Sequence, residues 1–167
     1  MNTVQEHQLM KRLFVLTAGF SLVAMMLAIL LFMSTRGGLA ASAHDNKSIH
    51  VVEHAITDTV TDLGKGGDSL GDQLAFGNPV YDSANKKQVG RDQGACIRTV
   101  VGKSWECFWT VLLPAGQITV EGPYYDTSDS MLAITGGTGA YRAAHGQMKL
   151  HARNAKGTEY DFIYDLN

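Results

Sequence analysis

The stretch "LAITGGTGAY", residues 132–141, begins as an apolar strand and then places three glycines in its last six positions. Glycine loses more backbone entropy on ordering than any other residue, so Gly136, Gly137 and Gly139 do not serve strand propensity. They supply geometry instead, because glycine adopts positive φ and permits close approach of a second backbone. The stretch therefore predicts a sharp turn in the wall of a closed β-barrel.

The chain around this stretch is a succession of short β-rich runs separated by turn residues. Eight strands are predicted, at 49–60, 72–81, 88–101, 104–113, 117–124, 130–135, 146–153 and 158–166. Such a chain either stacks two sheets or closes on itself, and only closure removes the exposed strand edges. We therefore predict an all-β domain at 49–167, an eight-stranded antiparallel closed barrel whose interior holds side chains or one small ligand.

The amino-terminal part of the chain is predicted to be a separate unit, residues 1–43, joined to the barrel by a linker at 44–48. Residues 13–33 carry no charge, and at about 1.5 Å per residue a helix of this length crosses a bilayer core of about 30 Å. Lys11 and Arg12 precede it, which favours a cytoplasmic amino end and an exported barrel. The small residues at 40–43 suit signal peptidase cleavage, while an uncleaved membrane anchor and a helical lid over a cytoplasmic barrel are the alternatives.

Composition excludes some classes of partner. The chain of 167 residues is 45% hydrophobic and 18% charged, with a net charge of −2. Such a chain suits one globular domain with an extension and provides no field for binding a polyanion. Nucleic acid is therefore not an expected partner. Composition does not decide the oligomeric state, and a homo-oligomer, either dimer or trimer, is considered.

The two cysteines of the chain, Cys96 and Cys107, lie in adjacent predicted strands and on one sheet face. If Gly102 and Lys103 form a two-residue turn, Cys107 lies opposite Arg98, and Cys96 is a diagonal neighbour. A register shift of two residues or a bulge would bring the cysteines face to face. In an oxidising compartment this arrangement predicts a structural disulfide, and two free thiols are the alternative.

Alternation of side chains identifies the lumenal face of some strands. In 104–113 that face carries Trp105, Cys107, Trp109, Val111 and Leu113, and in 117–124 it carries Ile118, Val120, Gly122 and Tyr124. The first strand is ambiguous, because both of its faces mix apolar and polar residues. Periodicity alone therefore leaves Glu53 either inside or outside the barrel.

Four segments in this order and spacing carry a family resemblance: "LGDQLAFGNPVYD", "KKQVGRDQGACI", "ITVEGPYYD" and "LAITGGTGAYRAAHGQMKL". Together they resemble allene oxide cyclase, and "GGTGAYRAAHG" is also similar to plant dirigent proteins. The chain is most similar to bacterial allene-oxide-cyclase-like barrels, some of which are polyketide cyclases. The resemblance covers about residues 50–166 and implies a calycin-like barrel with a ligand cavity.

The resemblance also implies which side chains line that cavity. The carboxylate of the first strand falls on Glu53, the asparagine of the second-strand motif on Asn78, and the tyrosine of the Gly-Pro-Tyr motif on Tyr124, and these three are the predicted catalytic residues. The predicted substrate-binding residues are Leu74, Phe76, Cys96, Trp105, Trp109 and Val120. The chain departs from the plant enzymes at Ala55, where they have asparagine, and at Cys107, which has no plant counterpart.

No nucleotide loop, nucleophile elbow or metal-ligand spacing is present in the sequence, so no cofactor and no metal are predicted. The expected activity is a cyclase or isomerase that folds a flexible apolar substrate, polyketide- or oxylipin-like, for intramolecular ring closure such as a [4+2] cycloaddition. Positioning alone contributes about 7 to 11 kcal/mol to such a reaction in favourable cases. Two alternatives remain: a carrier that binds an apolar ligand without converting it, and a dirigent-like guide of stereochemistry.

Overall fold

The computed structural model describes residues 47–167. The predictions for residues 1–43, namely the targeting segment, its cleavage and its helix, lie outside the described residues. Among residues 47–167, no helix has the length and apolar character needed to cross a membrane.

The described chain is built from β-strands. They are β1 Lys47–His54, β2 Thr59–Thr61, β3 Gln73–Phe76, β4 Pro79–Asp82, β5 Gln88–Val100, β6 Ser104–Leu113, β7 Gly116–Tyr125, β8 Ser130–Gly137, β9 Gly146–Ala152 and β10 Glu159–Leu166. One short 3-10 turn, Gly139–Tyr141, follows β8, and residues 47–167 contain no α-helix.

The sheet closes into a barrel. Its hydrogen-bonded order is β4-β1-β10-β9-β8-β7-β6-β5, and β5 also pairs with β4, which completes a ring of eight strands. Neighbouring strands in the ring are antiparallel. The predicted eight-stranded antiparallel closed barrel is confirmed.

Two of the predicted strands are each divided in the structure. Predicted strand 49–60 forms β1 and β2, and predicted strand 72–81 forms β3 and β4, both of which pair with β5. The breaks lie side by side, at residues 55–58 and at Gly77–Asn78. The side-chain oxygen of Asn78 accepts the backbone N–H groups of Ile56 and Thr57 in place of a strand partner. β1 also starts at Lys47, two residues before the predicted start of the barrel at 49.

The interior of the barrel follows the predicted alternation. On β6, Trp105, Cys107, Trp109 and Val111 are buried, whereas Phe108 between them is 62% exposed. Ile118 and Val120 of β7 are also buried. The lumenal faces assigned to these two strands are therefore correct.

Two of the three glycines in the opening stretch are sterically required. A Cβ on Gly137 would contact the carbonyl oxygens of Tyr141 and Gln117, and Gly139 has a φ of +60° with its Cβ position 2.6 Å from the Ala115 oxygen. The backbone N–H groups of Thr138 and Ala140 donate to Gln117 and Ala115. The segment thus leaves β8 and folds tightly over the start of β7, as expected of a sharp turn.

The cysteine hairpin follows the alternative with a bulge. Cys96 and Cys107 are direct cross-strand partners joined by a disulfide, with Cα atoms 4.0 Å apart. The prediction of a simple two-residue turn at Gly102 and Lys103 is wrong. A register shift between Arg98 and Val100 inserts an extra residue into β5, and the turn begins at Val100. The predicted disulfide is present in the structure.

Candidate active site

A pocket of about 230 Å³ lies within the barrel, next to the divided strands. Its walls are mostly apolar and aromatic, and two carboxyl groups contribute to them. The lining residues are Glu53, Asp58, Val60, Leu74, Phe76, Cys96, Cys107, Trp109, Tyr124, Leu150, Tyr160 and Phe162.

Glu53 is the buried acid of this pocket. It faces the lumen from β1 and is only 5% exposed, which resolves the ambiguity of the first strand. Asn78 Nδ2 donates a 2.8 Å hydrogen bond to its Oε1. Burial raises the pKa of Glu53 well above its usual value, and the negative charge of Asp92 raises it further. The side chain therefore favours its protonated form and can donate a proton.

Asp92 lies behind Glu53 and is fully buried. Its Oδ1 accepts the backbone N–H of Asn78 at 3.0 Å. Burial raises the pKa of Asp92 to about 6, while a hydrogen bond from Glu53 and the backbone of Asn78 oppose that rise. The hydrogen bond between the two carboxyls raises the pKa of Glu53 and lowers that of Asp92, so Glu53 is its donor and Asp92 its acceptor.

Asn78 holds the acid pair in place. Its Oδ1 accepts from Ile56 N, Thr57 N and Thr57 Oγ1, and its Nδ2 donates to Glu53 and, at 2.7 Å, to Asp58. Both ends of the amide are therefore fully used, and the residue is completely buried. Asn78, one of the three predicted catalytic residues, therefore has no donor left for a substrate, and its contacts position Glu53 and Asp58.

Two tyrosines add further polar groups to the pocket, and one of them, Tyr160 of β10, is the direct cross-strand partner of Glu53. The hydroxyls of Tyr124 and Tyr160 are 3.0 Å apart, and their rings meet edge to face. Burial raises the pKa of both phenols, so they stay neutral and can donate hydrogen bonds. Both side chains also border a second groove of about 640 Å³, formed mainly by the loops after β7 and β9.

The fold and pocket can now be compared with known proteins. The profile of the allene oxide cyclase family matches residues 45–155. The chain belongs to the allene oxide cyclase family. Pyocyanin demethylase is 28% identical to it, with a TM-score of 0.61 over 70% of this chain and 98% of that one.

Solved structures with lower sequence identity to this chain have the same barrel fold. A pterocarpan synthase dirigent protein is 18% identical with a TM-score of 0.60, covering 74% of this chain and 94% of its own. AbnU, described as an exo-specific intermolecular Diels-Alderase, is 16% identical with a TM-score of 0.57, covering 72% and 97%. At these identities the likeness concerns the fold alone.

The structure brings together most of the side chains that the family resemblance selected. Glu53, Leu74, Phe76, Cys96, Trp109 and Tyr124 all line the pocket. Cys96 contributes a disulfide rather than a thiol, because Cys107 of the neighbouring strand is bonded to it.

Two predicted substrate-binding residues lie elsewhere. Trp105 packs beneath the guanidinium of Arg98, 4.0 Å from the ring centre, and borders a shallow depression on the Asp68 side of the barrel. Val120 is buried in the core, paired with Trp109 and Ile134. Both share a strand face with pocket residues, but alternation does not show how far along the barrel axis the pocket extends.

Sequence reasoning missed three polar residues of this site, Asp92, Asp58 and Tyr160, and three apolar lining residues, Val60, Leu150 and Phe162. The inner position of Asp92 could have been inferred from the sequence. Asp92 lies an even number of residues from Cys96 on β5 and so points to the same, inner face, where a charged residue indicates a buried partner. No sequence pattern indicated Asp58, because it reaches the pocket only through the division of the predicted first strand.

Proposed function

We propose that this pocket catalyses cofactor-independent isomerisation or intramolecular ring closure of a compact apolar molecule, with Glu53 as the general acid. The observation that carries the proposal is a carboxyl group buried in the wall of an aromatic pocket, where burial raises its pKa. A general acid within hydrogen-bond reach of a substrate typically contributes about 10² to 10⁴-fold in rate.

The proposed step transfers the Glu53 proton to a carbonyl, enol or epoxide oxygen of the bound substrate. The electron-deficient substrate then rearranges or closes a ring, and loss of a proton from the product restores Glu53. Tyr124 donates a hydrogen bond to the same oxygen. Substrate and product consequently have the same mass.

The size of the pocket favours a compact substrate. Ligand pockets usually have volumes of about 300 to 1,000 Å³, and this one is smaller, at about 230 Å³. A short polyketide- or oxylipin-like chain folded for a [4+2] ring closure is one case that fits. The walls would hold its reacting ends together, which is where most of the rate gain of such a reaction arises.

A second candidate is a reaction on a flat heteroaromatic ring. The likeness to pyocyanin demethylase, at 28% identity over nearly all of that chain, favours it. Pyocyanin therefore belongs among the compounds tested, with loss of a methyl group as the readout.

The experiment incubates the full-length protein with a panel of linear polyenes, epoxides and enones and follows products by chromatography and mass spectrometry. We expect a product of unchanged mass, and a rate reduced about 10² to 10⁴-fold in Glu53→Gln. The matched control is Glu121→Gln, an exposed carboxyl on the outer face of β7, which should retain full activity. Unchanged turnover in Glu53→Gln would refute the role of Glu53.

The two non-catalytic alternatives give different results in the same assay. A carrier would bind a panel member saturably and return it unconverted. A dirigent-like guide would leave each compound unchanged alone and alter product stereochemistry only when a separate oxidant generates radicals.

We also propose that the barrel is exported, either secreted or membrane-anchored. The uncharged run at 13–33, the preceding Lys11 and Arg12, and the cysteine pair support this. Intact mass of the protein from its native host tests it, since cleavage after Ala43 removes a defined segment.

A further inference from the structure

The charges around the pocket are of one sign. Glu53 and Asp58 are among its lining residues, and no lysine, arginine or histidine is found among the described residues that line it. Asp92 adds a third carboxyl directly behind Glu53. Because Glu53 keeps its proton, the negative charge at the pocket comes from Asp58 in the wall and from Asp92 behind Glu53.

Two arginines that border the depressions next to the pocket are already paired with acids. Arg98 lies 2.6 Å from Asp68 and 2.8 Å from Asp126. Arg153, which borders the neighbouring groove, contacts Asp161 at 2.8 Å and Glu159 at 3.5 Å. Lys156 also faces that groove, beyond the two tyrosines, and not the pocket. None of these cations neutralises the pocket carboxyls directly.

The walls add a second source of negative potential. Five aromatic rings line the pocket, and the face of each carries a partial negative charge from its π electrons. The rings stand at angles to one another: Trp109 is tilted by 34° against Phe162 and by 68° against Phe76, and Tyr124 meets Tyr160 at 82°. At these angles the rings are not stacked parallel to one another but stand as separate sides of the pocket.

Aromatic walls combined with carboxylates are the chemistry that recognises organic cations. Asp58 is held at the pocket by its 2.7 Å bond from Asn78, which gives its carboxylate a fixed position. An anionic ligand would meet two carboxyl groups and no described cationic side chain. A cation would meet favourable charge and ring faces together.

We propose that the pocket selects a compact, flat organic monocation, such as an N-alkylated or protonated aromatic heterocycle, over neutral and anionic molecules of the same shape. This proposal rests on the proposed function, in that the pocket is taken as the substrate site, and of the two substrate types named there it favours the flat heteroaromatic ring over neutral polyenes and enones. The proposal concerns binding affinity alone, so a binding measurement decides it independently of whether turnover is found.

The test compares three probes of nearly equal size by calorimetric titration of the full-length protein: N-methylquinolinium, its neutral isostere α-methylnaphthalene, and the anion α-naphthoate. We expect the cation to bind about tenfold more tightly than the neutral isostere, and the anion to bind most weakly. Tenfold corresponds to about 1.4 kcal/mol.

Two variants separate the pocket charge from general electrostatics. Asp58→Asn keeps the acceptor oxygen for Asn78 but removes the charge, and should reduce the cation-to-neutral affinity ratio several-fold. Asp165→Asn removes the same charge from an exposed position on β10 and should leave the ratio unchanged. The proposal is overturned if the neutral or anionic probe binds as well as the cation, if Asp58→Asn leaves the ratio unchanged, or if none of the probes binds.

Discussion

Among single residues, Asp92 most strongly determines the chemistry of Glu53. Burial makes ionisation of Glu53 costly, and the negative charge of Asp92 adds to that cost, so both raise the pKa of Glu53. The pair is also expensive for folding, because an unfolded chain would ionise both groups near their usual pKa. The cost should be visible as a pH dependence of stability.

Asp92→Asn should remove part of that pH dependence. The pKa of Asp92 is raised from 3.8 to about 6, so the folded state binds its proton more tightly than the unfolded state. This contribution is present at low pH and is lost as pH rises through the window from 3.8 to about 6, by up to about 3 kcal/mol. Urea unfolding across this window should show a smaller fall in stability for Asp92→Asn than for the wild type.

Asp82→Asn is the control for that measurement. Backbone N–H groups, chiefly that of Lys86, lower the pKa of the half-buried Asp82, so its contribution to stability is lost as pH falls, not as it rises. Asp82→Asn should therefore leave unchanged the fall in the free energy of unfolding between pH 3.8 and about pH 6. Parallel pH profiles for wild type and Asp92→Asn would contradict the assignment of the buried pair.

Among the secondary-structure elements, the paired breaks between β1 and β2 and between β3 and β4 form one side of the site. They place Asp58 and Val60 at the pocket and turn the Asn78 side chain into the link between the two strands. A regular strand pair would not leave backbone N–H groups free for such a side chain.

Asn78→Ala should therefore destabilise the barrel strongly. It leaves the N–H groups of Ile56 and Thr57 and the carboxyl of Glu53 without their partner, and we expect a loss of about 3 kcal/mol in the free energy of unfolding. Asn154→Ala is the matched control, since Asn154 Oδ1 also accepts two backbone N–H groups but lies in an exposed turn. Equal losses of unfolding free energy in the two variants would show that the Asn78 link between the strands stabilises the barrel no more than hydrogen bonds in an exposed turn do.

The disulfide is the covalent element of the same wall. It closes a short hairpin of sequence separation 11, and the chain-entropy estimate for a loop of this length is about 3 kcal/mol. Replacing Cys96 and Cys107 together by alanine should lower the free energy of unfolding by about 2 to 3 kcal/mol. An unchanged unfolding midpoint would indicate that the β5–β6 pairing needs no covalent link.

For the whole molecule, the expected homo-oligomer stays a prediction. Ile97, Phe108 and Met131 are 48% to 62% exposed on the outer faces of β5, β6 and β8, an apolar group of the kind that often marks an interface. We expect light scattering to give a dimer or trimer mass that decreases in Phe108→Lys but not in Thr127→Lys, a change in an exposed loop. A monomer mass for the wild type would contradict this prediction.

Much of the barrel was predictable because strand alternation, turn residues and the glycine segment are local signals. The number of ring strands, the lumenal faces of β6 and β7, and the disulfide all depend on such signals. The divided strands were not predictable, since they depend on a long-range contact of the Asn78 side chain with residues 56 and 57. The extent of the pocket, which excludes Trp105 and Val120, depends on barrel depth, and sequence periodicity does not encode depth.

The central claim, a protonated Glu53 in the pocket wall, is most directly tested by its titration. Infrared difference spectra of wild type against Glu53→Gln isolate the carbonyl band of this one carboxyl as pH is raised. We predict a protonated-carboxyl band that persists well above the usual titration range of glutamate and is absent from the variant. A Glu53 that titrates at its ordinary pKa of about 4.5 would contradict the account.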